Sequence, residues 1–423
     1  MGNRVDQVAP SATLRPRVPR LHTFSSLRYR NFRYLWGSTL FASGGQWIQQ
    51  ITLSWLIYDM SHSAFLTGAL LGARSLPFLV VAPIGGVLID RFDRRKLLLA
   101  NQVFLASAAL GFALLLAANL AREWHVFLFA VITGAGWALN NPLRQALVVN
   151  TVPRQSFQNA IALNSLAFNV NRVLGPGLGG LLIALSGPAT NFFIQAACYV
   201  GVALLVFPIR LGHPETAARH NSSALSDLRE GLSYVAKEQT ILALMLMGMS
   251  QALFIMPFVN GLMPVFSKEV LGLGPDGLGL LLATMGMGGL VAPLTLATMG
   301  NTRRTGLVQA GAAMGSGIML MVFSQSTSLA MALPFLAMLG TCQMFFFVLI
   351  NIIIQTRIPD ALRGRVMSIY SMDIAVAPLG GLVAGTIAQL YGAPLAMLMG
   401  GGFSLALILV IVTRFKTVRT NAS

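Results

Sequence analysis

Three charged side chains lie away from the ends of long apolar stretches of the sequence: Arg74, Arg172 and Asp373. A charge in hydrocarbon is costly, so such residues usually pair with one another or face a polar cavity through which a solute or a proton moves. The carboxyl group of Asp373 can bind and release a proton. The guanidinium group of Arg172 can bind an anionic or carbonyl-rich molecule, or it can hold neighbouring helices together through their carbonyl groups.

Amide side chains and aromatic rings occur in the same kind of apolar stretch. Gln46 and Gln50 are one helical turn apart. Asn164 and Asn171 share a helix face with Arg172. Pockets for large amphipathic ligands are mostly apolar with a few polar groups of this type, although each amide taken alone is better explained by helix packing. The candidate cavity residues are Gln46, Trp47, Gln50, Asn164, Asn171, Arg172, Gln343 and Asn351.

The elements that hold these residues are predicted to be membrane-spanning helices. Only 10% of the 423 residues are charged and 55% are hydrophobic, whereas about 25% of a typical soluble chain is charged. This composition excludes a soluble enzyme, a disordered chain and an outer-membrane β-barrel. Stretches long enough to cross about 30 Å of hydrocarbon number twelve, near 35–58, 64–89, 97–119, 125–146, 158–186, 188–209, 240–265, 276–299, 306–325, 329–355, 366–391 and 393–413.

The distribution of positive charge predicts the topology. If the twelve stretches alternate in direction, 25 of the 29 Lys and Arg residues, Arg144 among them, lie on the side that holds both ends of the chain. Cytoplasmic loops are rich in Lys and Arg, so we expect a multi-pass protein of the bacterial inner membrane with both termini in the cytoplasm. The net charge of +16 then reflects topology and contact with anionic lipid headgroups, and nucleic-acid binding is not expected.

The chain divides into two similar halves. The predicted parts are a basic tail (1–34), an N-terminal bundle (35–209), a polar linker (210–239), a C-terminal bundle (240–414) and a short tail (415–423). Between 225 and 235 the linker has the apolar spacing of an amphipathic helix on the membrane surface. Pro153 in VPRQSFQNAIALNS and Pro359 in IPDALRGRVMSIYS are 206 residues apart. The duplication predicts an all-α protein of two pseudo-symmetric six-helix bundles with a cavity between them.

Between the second and third stretches the sequence reads GGVLIDRFDRRKLLL. It resembles the signature loop of the major facilitator superfamily through Gly86, Asp90, Arg91, Arg94 and Arg95. Asp93 replaces the turn glycine of that loop, and an Asp side chain can support a tight turn by bonding its own backbone. The charged cluster is predicted to latch one half onto the other in one conformational state; the alternative is a loop that only sets the topology.

A second motif, NRVLGPGLGG at 171–180, resembles the antiporter motif of drug-exporting members of that superfamily. The matching residues are Gly175, Pro176, Gly179 and Gly180, and Asn171 replaces the first glycine. Glycines four residues apart let two helices approach closely, and a proline inside a helix can kink it. A tight interface of this kind between the halves would prevent leakage during exchange. Ordinary helix packing is the alternative.

Longer stretches, 140–180 and 358–385, resemble the enterobactin-exporter and macrolide-efflux branch of the superfamily. The resemblance implies a secondary transporter that works by alternating access. It would export small amphipathic compounds, such as drugs or siderophore-like molecules, in exchange for protons. A symporter or a lysolipid flippase of the same fold is the alternative.

The resemblance also implies a partner for Arg74, because the second and eleventh helices of that fold face each other. Arg74 is then expected to pair with Asp373, and Asp373 to be the proton-coupling carboxylate, since protonation would break the pair. A static structural pair, or an Asp373 that faces a watery vestibule, is the alternative.

Signatures of catalysis and of bound cofactors are missing from the sequence. It has no nucleophile with a neighbouring base, no metal-ligand cluster and no phosphate-binding loop that ends in GK[ST]. Cys198 and Cys342 both lie in predicted spans, without metal-ligand neighbours. We therefore expect no enzymatic activity, no cofactor and no metal. The expected partners are a small-molecule substrate, protons and membrane lipids, bound by a monomer.

Overall fold

The structure is a computed structural model that describes residues 24–209, 224–299, 305–371 and 373–415. These residues form helices connected by short turns, and no β-strand occurs among them. Most of the predicted basic tail, the first part of the linker and the C-terminal tail from residue 416 lie outside the described residues.

Six helices form the N-terminal half. They are α1 (Arg30–Ser61), α2 (Ala64–Arg91), α3 (Arg94–Ala117), α4 (Glu123–Thr151), α5 (Phe157–Ser186) and α6 (Pro188–Val206). Their ends coincide with residues that cap or stop helices. Ser63 Oγ accepts a hydrogen bond from Leu66 N (3.3 Å) at the start of α2. Gly187 adopts a positive φ of 78°, and Pro188 then begins α6, at the helical position that proline favours.

The C-terminal half contains the linker helix α7 (Ala224–Lys237) and the bundle helices that follow it. These are α8 (Gln239–Ser250), α9 (Met256–Glu269), α10 (Pro275–Met299), α11 (Thr305–Phe323), α12 (Leu329–Arg357), α13 (Asp360–Ser371), α14 (Asp373–Tyr391) and α15 (Ala393–Arg414). A π-helical segment, Gln251–Ile255, joins α8 to α9. Gly392 has a φ of 85° and Pro394 lies in the first turn of α15, so the turn at Gly187 recurs at the same place in this half. This recurrence supports the predicted duplication.

Every predicted span coincides with helical residues. Nine helical segments of the described residues are long and apolar enough to cross a membrane. The remaining predicted spans lie on α1, on α2, and on α13 with α14, where residues 376–391 form a shorter apolar helix. The all-helical, multi-pass architecture is confirmed, and the number of twelve crossings stays a prediction.

Both ends of the described chain lie at the same end of the bundle, which we call the terminal end; the opposite end is the distal end. The backbone N–H of Ser26 donates to Asn159 Oδ1 (3.0 Å), and its hydroxyl donates to Ser156 O (3.0 Å), at the turn between α4 and α5. Phe415 packs against the apolar core that includes Ile358, at the turn between α12 and α13. The chain therefore begins and ends on one side of the bundle.

The two ends of the bundle differ in how their apolar cores are built. At the distal end, one core joins Trp55 of α1 to Phe266 of α9 and so contains residues of both halves. At the terminal end, the core around Leu147 belongs to the N-terminal half and the core around Ile354 to the C-terminal half. The bundle is thus closed at the distal end and divided at the terminal end, which leaves room for a cleft between the halves.

Glycines allow close contacts between the halves. Gly68 of α2 lies against Gly381 and Gly385 of α14. Gly180 of α5 lies against Gly279 of α10. A Cβ atom added to Gly68 or Gly180 would collide with the backbone of the opposite helix, so glycine is what permits this approach.

The linker helix α7 packs against α13 at the terminal end. Arg365 Nη1 of α13 lies 2.8 Å from Glu230 Oε2 of α7, and Gly231 lies against the side chain of Ile369. Val235 is buried in the terminal core of the C-terminal half. A helix therefore forms where the apolar spacing of the linker predicted one.

Candidate functional site

A cleft lies between the halves and consists of two lobes that share Trp137, Asn141 and Phe168. The central lobe has a volume of about 510 Å³, and its walls come from α1, α2 and α4 of one half and from residues such as Pro257 of the other. The terminal lobe, about 780 Å³, lies nearer the terminal end and reaches Val348 of α12. Each lobe is within the range of about 300–1,000 Å³ that suits drug-sized ligands.

Arg74 lines the central lobe, and its Nη1 donates to Gln50 Oε1 of α1 (3.3 Å). The side chain of Asp373 lies outside the described residues, so the pair between Arg74 and Asp373 stays a prediction. The helices that carry the two residues do pack together, since Gly72 of α2 lies against Pro378 of α14.

Three of the predicted cavity residues line the cleft. Gln46 and Gln50 line the central lobe, and Asn164 lines the terminal lobe. The side-chain oxygens of Gln46 and Asn164 are buried, and neither accepts a hydrogen bond from a described residue. Buried polar atoms are normally hydrogen-bonded, so these two oxygens are available to a donor on a ligand.

Asn171, another predicted cavity residue, instead holds two helices together. Its Nδ2 donates to Leu40 O (3.0 Å) and Ser43 Oγ (2.7 Å) of α1, and to Ala167 O of its own helix (3.1 Å). The amide donor is therefore fully used in packing α5 against α1.

Trp47, Gln343 and Asn351 also do not line either lobe. The ring of Trp47 lies behind the wall, with its centroid 5.8 Å from that of Phe168. Gln343 is 3% exposed, and its Nε2 has no partner among the described residues. Asn351 donates to Phe347 O of its own helix (2.8 Å). Trp47 and Asn351 thus contact residues of the lining, Phe168 and Phe347.

Arg172 lies behind the cleft, at the interface between the halves. Its guanidinium group is close to Gly289 of α10, beside Met344, which does line the terminal lobe. Within the described residues it makes no side-chain hydrogen bond and no ion pair. The structure thus leaves both proposed roles of Arg172, ligand binding and helix packing, as predictions.

Arg144 is counted above with the loop charges of the cytoplasmic side, but the structure places it inside a helix and not in the loop after the fourth span. The residue lies inside α4, is 6% exposed and lines the terminal lobe. Because α4 continues to Thr151, about two turns beyond Arg144, the end of the apolar stretch does not mark the end of the helix. A usable signal was present in the sequence: Asn140 precedes Arg144 by one helical turn, so both belong to one polar face.

In the loop between α2 and α3, Asp93 acts as the cap of α3. Its Oδ1 accepts hydrogen bonds from Arg95 N (2.8 Å) and Lys96 N (3.1 Å). This is the backbone bonding expected of an Asp that replaces a turn glycine. The side chain of Arg95 donates to Phe207 O, and its guanidinium carbon lies 5.4 Å from the Phe207 ring centroid. Arg95 therefore contacts the end of α6, in its own half.

The side chains of three other residues of the signature loop lie outside the described residues: Gly86, Asp90 and Arg91. The predicted latch between the halves, to which Arg94 also belongs, stays a prediction.

The glycines of the second motif pack α5 against two different helices. Gly175 and Gly179 lie against α1, in the same half. Gly180 lies against Gly279 of α10, in the other half, and Pro176 is buried within α5. One side of the motif therefore stabilises the N-terminal half, while the other joins the two halves.

A break in regular α-helix lies beside the central lobe. Ala252, within the π-helical segment, and Pro257, just after it, both line this lobe. Gln251 anchors the segment, since its Nε2 donates to Ser316 Oγ of α11 (2.9 Å). Segments of this kind occur often at functional sites, and this one lies where the C-terminal half meets the cleft.

Known relatives resemble the chain over most of its length. The Staphyloferrin A transporter of Staphylococcus aureus (strain NCTC 8325 / PS 47) is 24% identical over 371 residues, 85% of this chain and 90% of the relative. The multidrug efflux pump Tap of Mycolicibacterium fortuitum is 25% identical over 365 residues, 84% of this chain and 88% of the relative. The enterobactin exporter EntS of Shigella boydii serotype 4 (strain Sb227) is 25% identical over 369 residues, 84% of each chain.

A solved structure shares the fold. The bacterial homologue of the human lysosomal transporter Spinster, in an inward-facing and occupied conformation, superposes with a TM-score of 0.70 at 14% identity, over 93% of this chain and 97% of that one. Residues 21–423 match the family described as transmembrane secretion effectors, within the major facilitator superfamily. The resemblance to efflux transporters of that superfamily is therefore confirmed. Because this match covers almost the whole sequence and the fold agrees with it, the chain belongs to the transmembrane secretion effector family of the major facilitator superfamily.

Proposed function

We propose that the protein exports small amphipathic compounds from the cytoplasm by alternating access, in exchange for protons. The observation that carries the proposal is the cleft between the halves, lined by amides and aromatic rings and bounded at the distal end by the core that both halves share. Because both halves supply its walls, a single chain forms the whole cleft, and the protein acts as a monomer.

The direction follows from the topology. The cleft reaches toward the terminal end, and the positive charge of the predicted loops on that side supports a cytoplasmic location for it. A compound would enter from the cytoplasm and leave at the distal end after the halves rock. The names of the relatives support the substrate class, since they include a multidrug efflux pump and siderophore transporters. Tags at the two termini test the orientation. We expect a membrane-impermeant reagent to label both tags in everted vesicles and neither tag in intact cells.

Proton coupling is assigned to Asp373 with Arg74 as its partner. Arg74 lines the central lobe, and Asp373 begins α14, the helix that packs against the helix of Arg74. A carboxylate beside a guanidinium group stays ionised until the proton concentration rises enough to break the pair. Protonation from the distal side would then release the substrate and reset the halves.

Everted inner-membrane vesicles that contain the full chain test this function. They are energised and offered a panel of dyes, antibiotics and siderophores. We expect accumulation that an uncoupler abolishes. The Asp373→Asn variant should still exchange substrate across the membrane. The proton gradient should no longer drive accumulation in this variant. The matched control is Asp276→Asn, at an exposed Asp in the first turn of α10, which should behave as the wild type.

Two results would contradict the proposal. Gradient-dependent accumulation by the Asp373→Asn variant would exclude this carboxylate as the coupling group. Uptake toward the cytoplasm driven by the gradient would favour a symporter, and transfer of lysolipid between leaflets a flippase.

A further inference from the structure

Arg144 carries a buried positive charge whose hydrogen-bond partners are all neutral. Its Nε donates to Asn140 Oδ1 (3.2 Å), its Nη1 to Ser38 Oγ (3.0 Å) and Thr39 Oγ1 (3.2 Å), and its Nη2 to Ser38 O (3.4 Å). A guanidinium group has five N–H donors, so one N–H of Nη2 is left for another acceptor. No carboxylate in the described part of the chain pairs with Arg144.

The cleft that Arg144 lines is positively charged. Arg74 lines its central lobe, and no Asp or Glu occurs among the described residues that line either lobe. A carboxylate at Asp373 would neutralise at most one of the two guanidinium groups. A buried charge without a counter-ion is costly, and an anionic ligand would supply the missing counter-ion.

The surroundings of Arg144 indicate the rest of the ligand. The side-chain oxygen of Asn164 lies in the same lobe, is buried and accepts no hydrogen bond from a described residue, so it fits an N–H or O–H donor. Trp137, Phe157 and Phe168 line the lobe with aromatic rings. A molecule that satisfies these groups has an acid group, a hydrogen-bond donor and an apolar body.

We infer that the substrate is an organic acid with an apolar body, and that its carboxylate binds the free N–H of Arg144 in the terminal lobe. A hydrogen bond between two ionised groups is roughly twice as strong as one between neutral groups. Arg144 is then a specificity-determining residue, because it selects anions before they reach the central lobe. This inference rests on the proposed export function, since it names the class of compound that enters the cleft.

A matched pair of probes tests the inference. One is 1-naphthylacetate, which carries a carboxylate, and the other is 1-naphthylacetamide, in which a neutral amide replaces it. The full-length protein in nanodiscs is titrated with each probe by calorimetry, and empty nanodiscs provide the partition background. We expect the wild type to bind the acid about tenfold more tightly than the amide. Equal affinity for the two probes, or binding of neither at millimolar concentration, would overturn the inference.

Variants at Arg144 locate the source of the preference. Arg144→Gln removes the charge and should abolish the preference for the acid, whereas Arg144→Lys should retain part of it. The control is Arg122→Gln, which removes an exposed cation at the distal end and should keep the wild-type preference. An unchanged preference in Arg144→Gln contradicts the inference. If size-exclusion chromatography shows that this variant does not fold, the preference for the acid is compared between the Arg144→Lys variant and the wild type. An unchanged preference in Arg144→Lys then contradicts the inference.

Failure of this inference and failure of export are distinguishable. If the wild type prefers the acid through Arg144 but accumulates no compound in vesicles, export alone is contradicted. If vesicles accumulate only cationic or neutral compounds and the acid is not preferred, export stands and the inference is overturned.

Discussion

Asp59 Oδ1 and Lys268 Nζ lie 2.6 Å apart, and this ion pair joins α1 of the N-terminal half to α9 of the C-terminal half at the distal end. The residues beside them form a second contact, in which the hydroxyl of Tyr58 donates to Glu269 Oε1. The Lys268 ammonium group also lies 5.6 Å from the ring centroid of Trp55, within the range of a cation–π contact. These polar contacts reinforce the shared apolar core in keeping the distal end closed.

We expect Lys268→Gln to increase the population that is open at the distal end. The side chains of Lys268 and Asp59 are 35% and 51% exposed, and an exposed ion pair contributes at most about 1 kcal/mol, roughly a fivefold change in population. Spin labels at the exposed distal positions Leu120 and Leu390, on a cysteine-free background, would report the change as a longer distance component.

The charge-swapped double variant, Asp59→Lys with Lys268→Asp, should return the distance distribution toward that of the wild type. A shift in Lys268→Gln no larger than in Arg122→Gln would show that the ion pair does not bias the two states.

Gly68→Ala is expected to reduce transport at least tenfold without unfolding the protein. The added Cβ atom would collide with the backbone of Gly381, so α2 and α14 could not close the distal end, while the terminal core of each half remains intact. Gly111→Ala is the matched control, because nothing lies within 4 Å of a Cβ atom there. Transport by the Gly68→Ala variant at the rate of the control would contradict this role of the glycine contact.

Two asparagines on α5 should have different effects when replaced by alanine. Asn164→Ala should weaken substrate binding with little loss of stability, since the buried Asn164 oxygen has no partner among the described residues. Asn171→Ala should lower the thermal unfolding temperature and leave substrate affinity nearly unchanged, because it removes hydrogen bonds to Leu40 and Ser43. Affinity and unfolding temperature measured on both variants check the assignment, and the reverse pattern would refute it.

Asp93→Ala should lower the free energy of unfolding by about 1 kcal/mol, the usual effect of losing a helix cap. Two backbone N–H groups, of Arg95 and Lys96, would lose their acceptor. Asp93→Asn keeps a side-chain oxygen at the cap and should be nearly as stable as the wild type. Thermal unfolding in one detergent compares the three proteins; equal unfolding temperatures for the Ala and Asn variants would argue against the cap.

The positions of the helices could be predicted because hydropathy and the placement of Gly and Pro are local properties. The face that each helix presents to the cleft is not local. Asn164 and Asn171 share a helix face, yet Asn164 lines the terminal lobe and Asn171 bonds to α1. Their surroundings depend on where α5 crosses its neighbours, which the residues of α5 do not determine alone.

Arg144 escaped prediction for a related reason. An apolar stretch ends where charge begins, so a charged residue near its end is assigned to a loop. The burial of Arg144 depends on Ser38 and Thr39, more than one hundred residues earlier in the chain, which supply acceptors for its N–H groups. Tertiary contacts of this kind are not visible in the hydropathy of α4.

The apolar core that both halves share at the distal end makes the conformational equilibrium sensitive to temperature. Opening that end would bring buried side chains such as Trp55 and Phe266 into contact with water, and exposing apolar surface raises the heat capacity. If closure of the terminal end buries less apolar surface than this opening exposes, the free-energy difference between the two states curves with temperature, and an Arrhenius plot of the transport rate bends. Apolar contacts weaken on cooling, so the closed distal end is then favoured less in the cold.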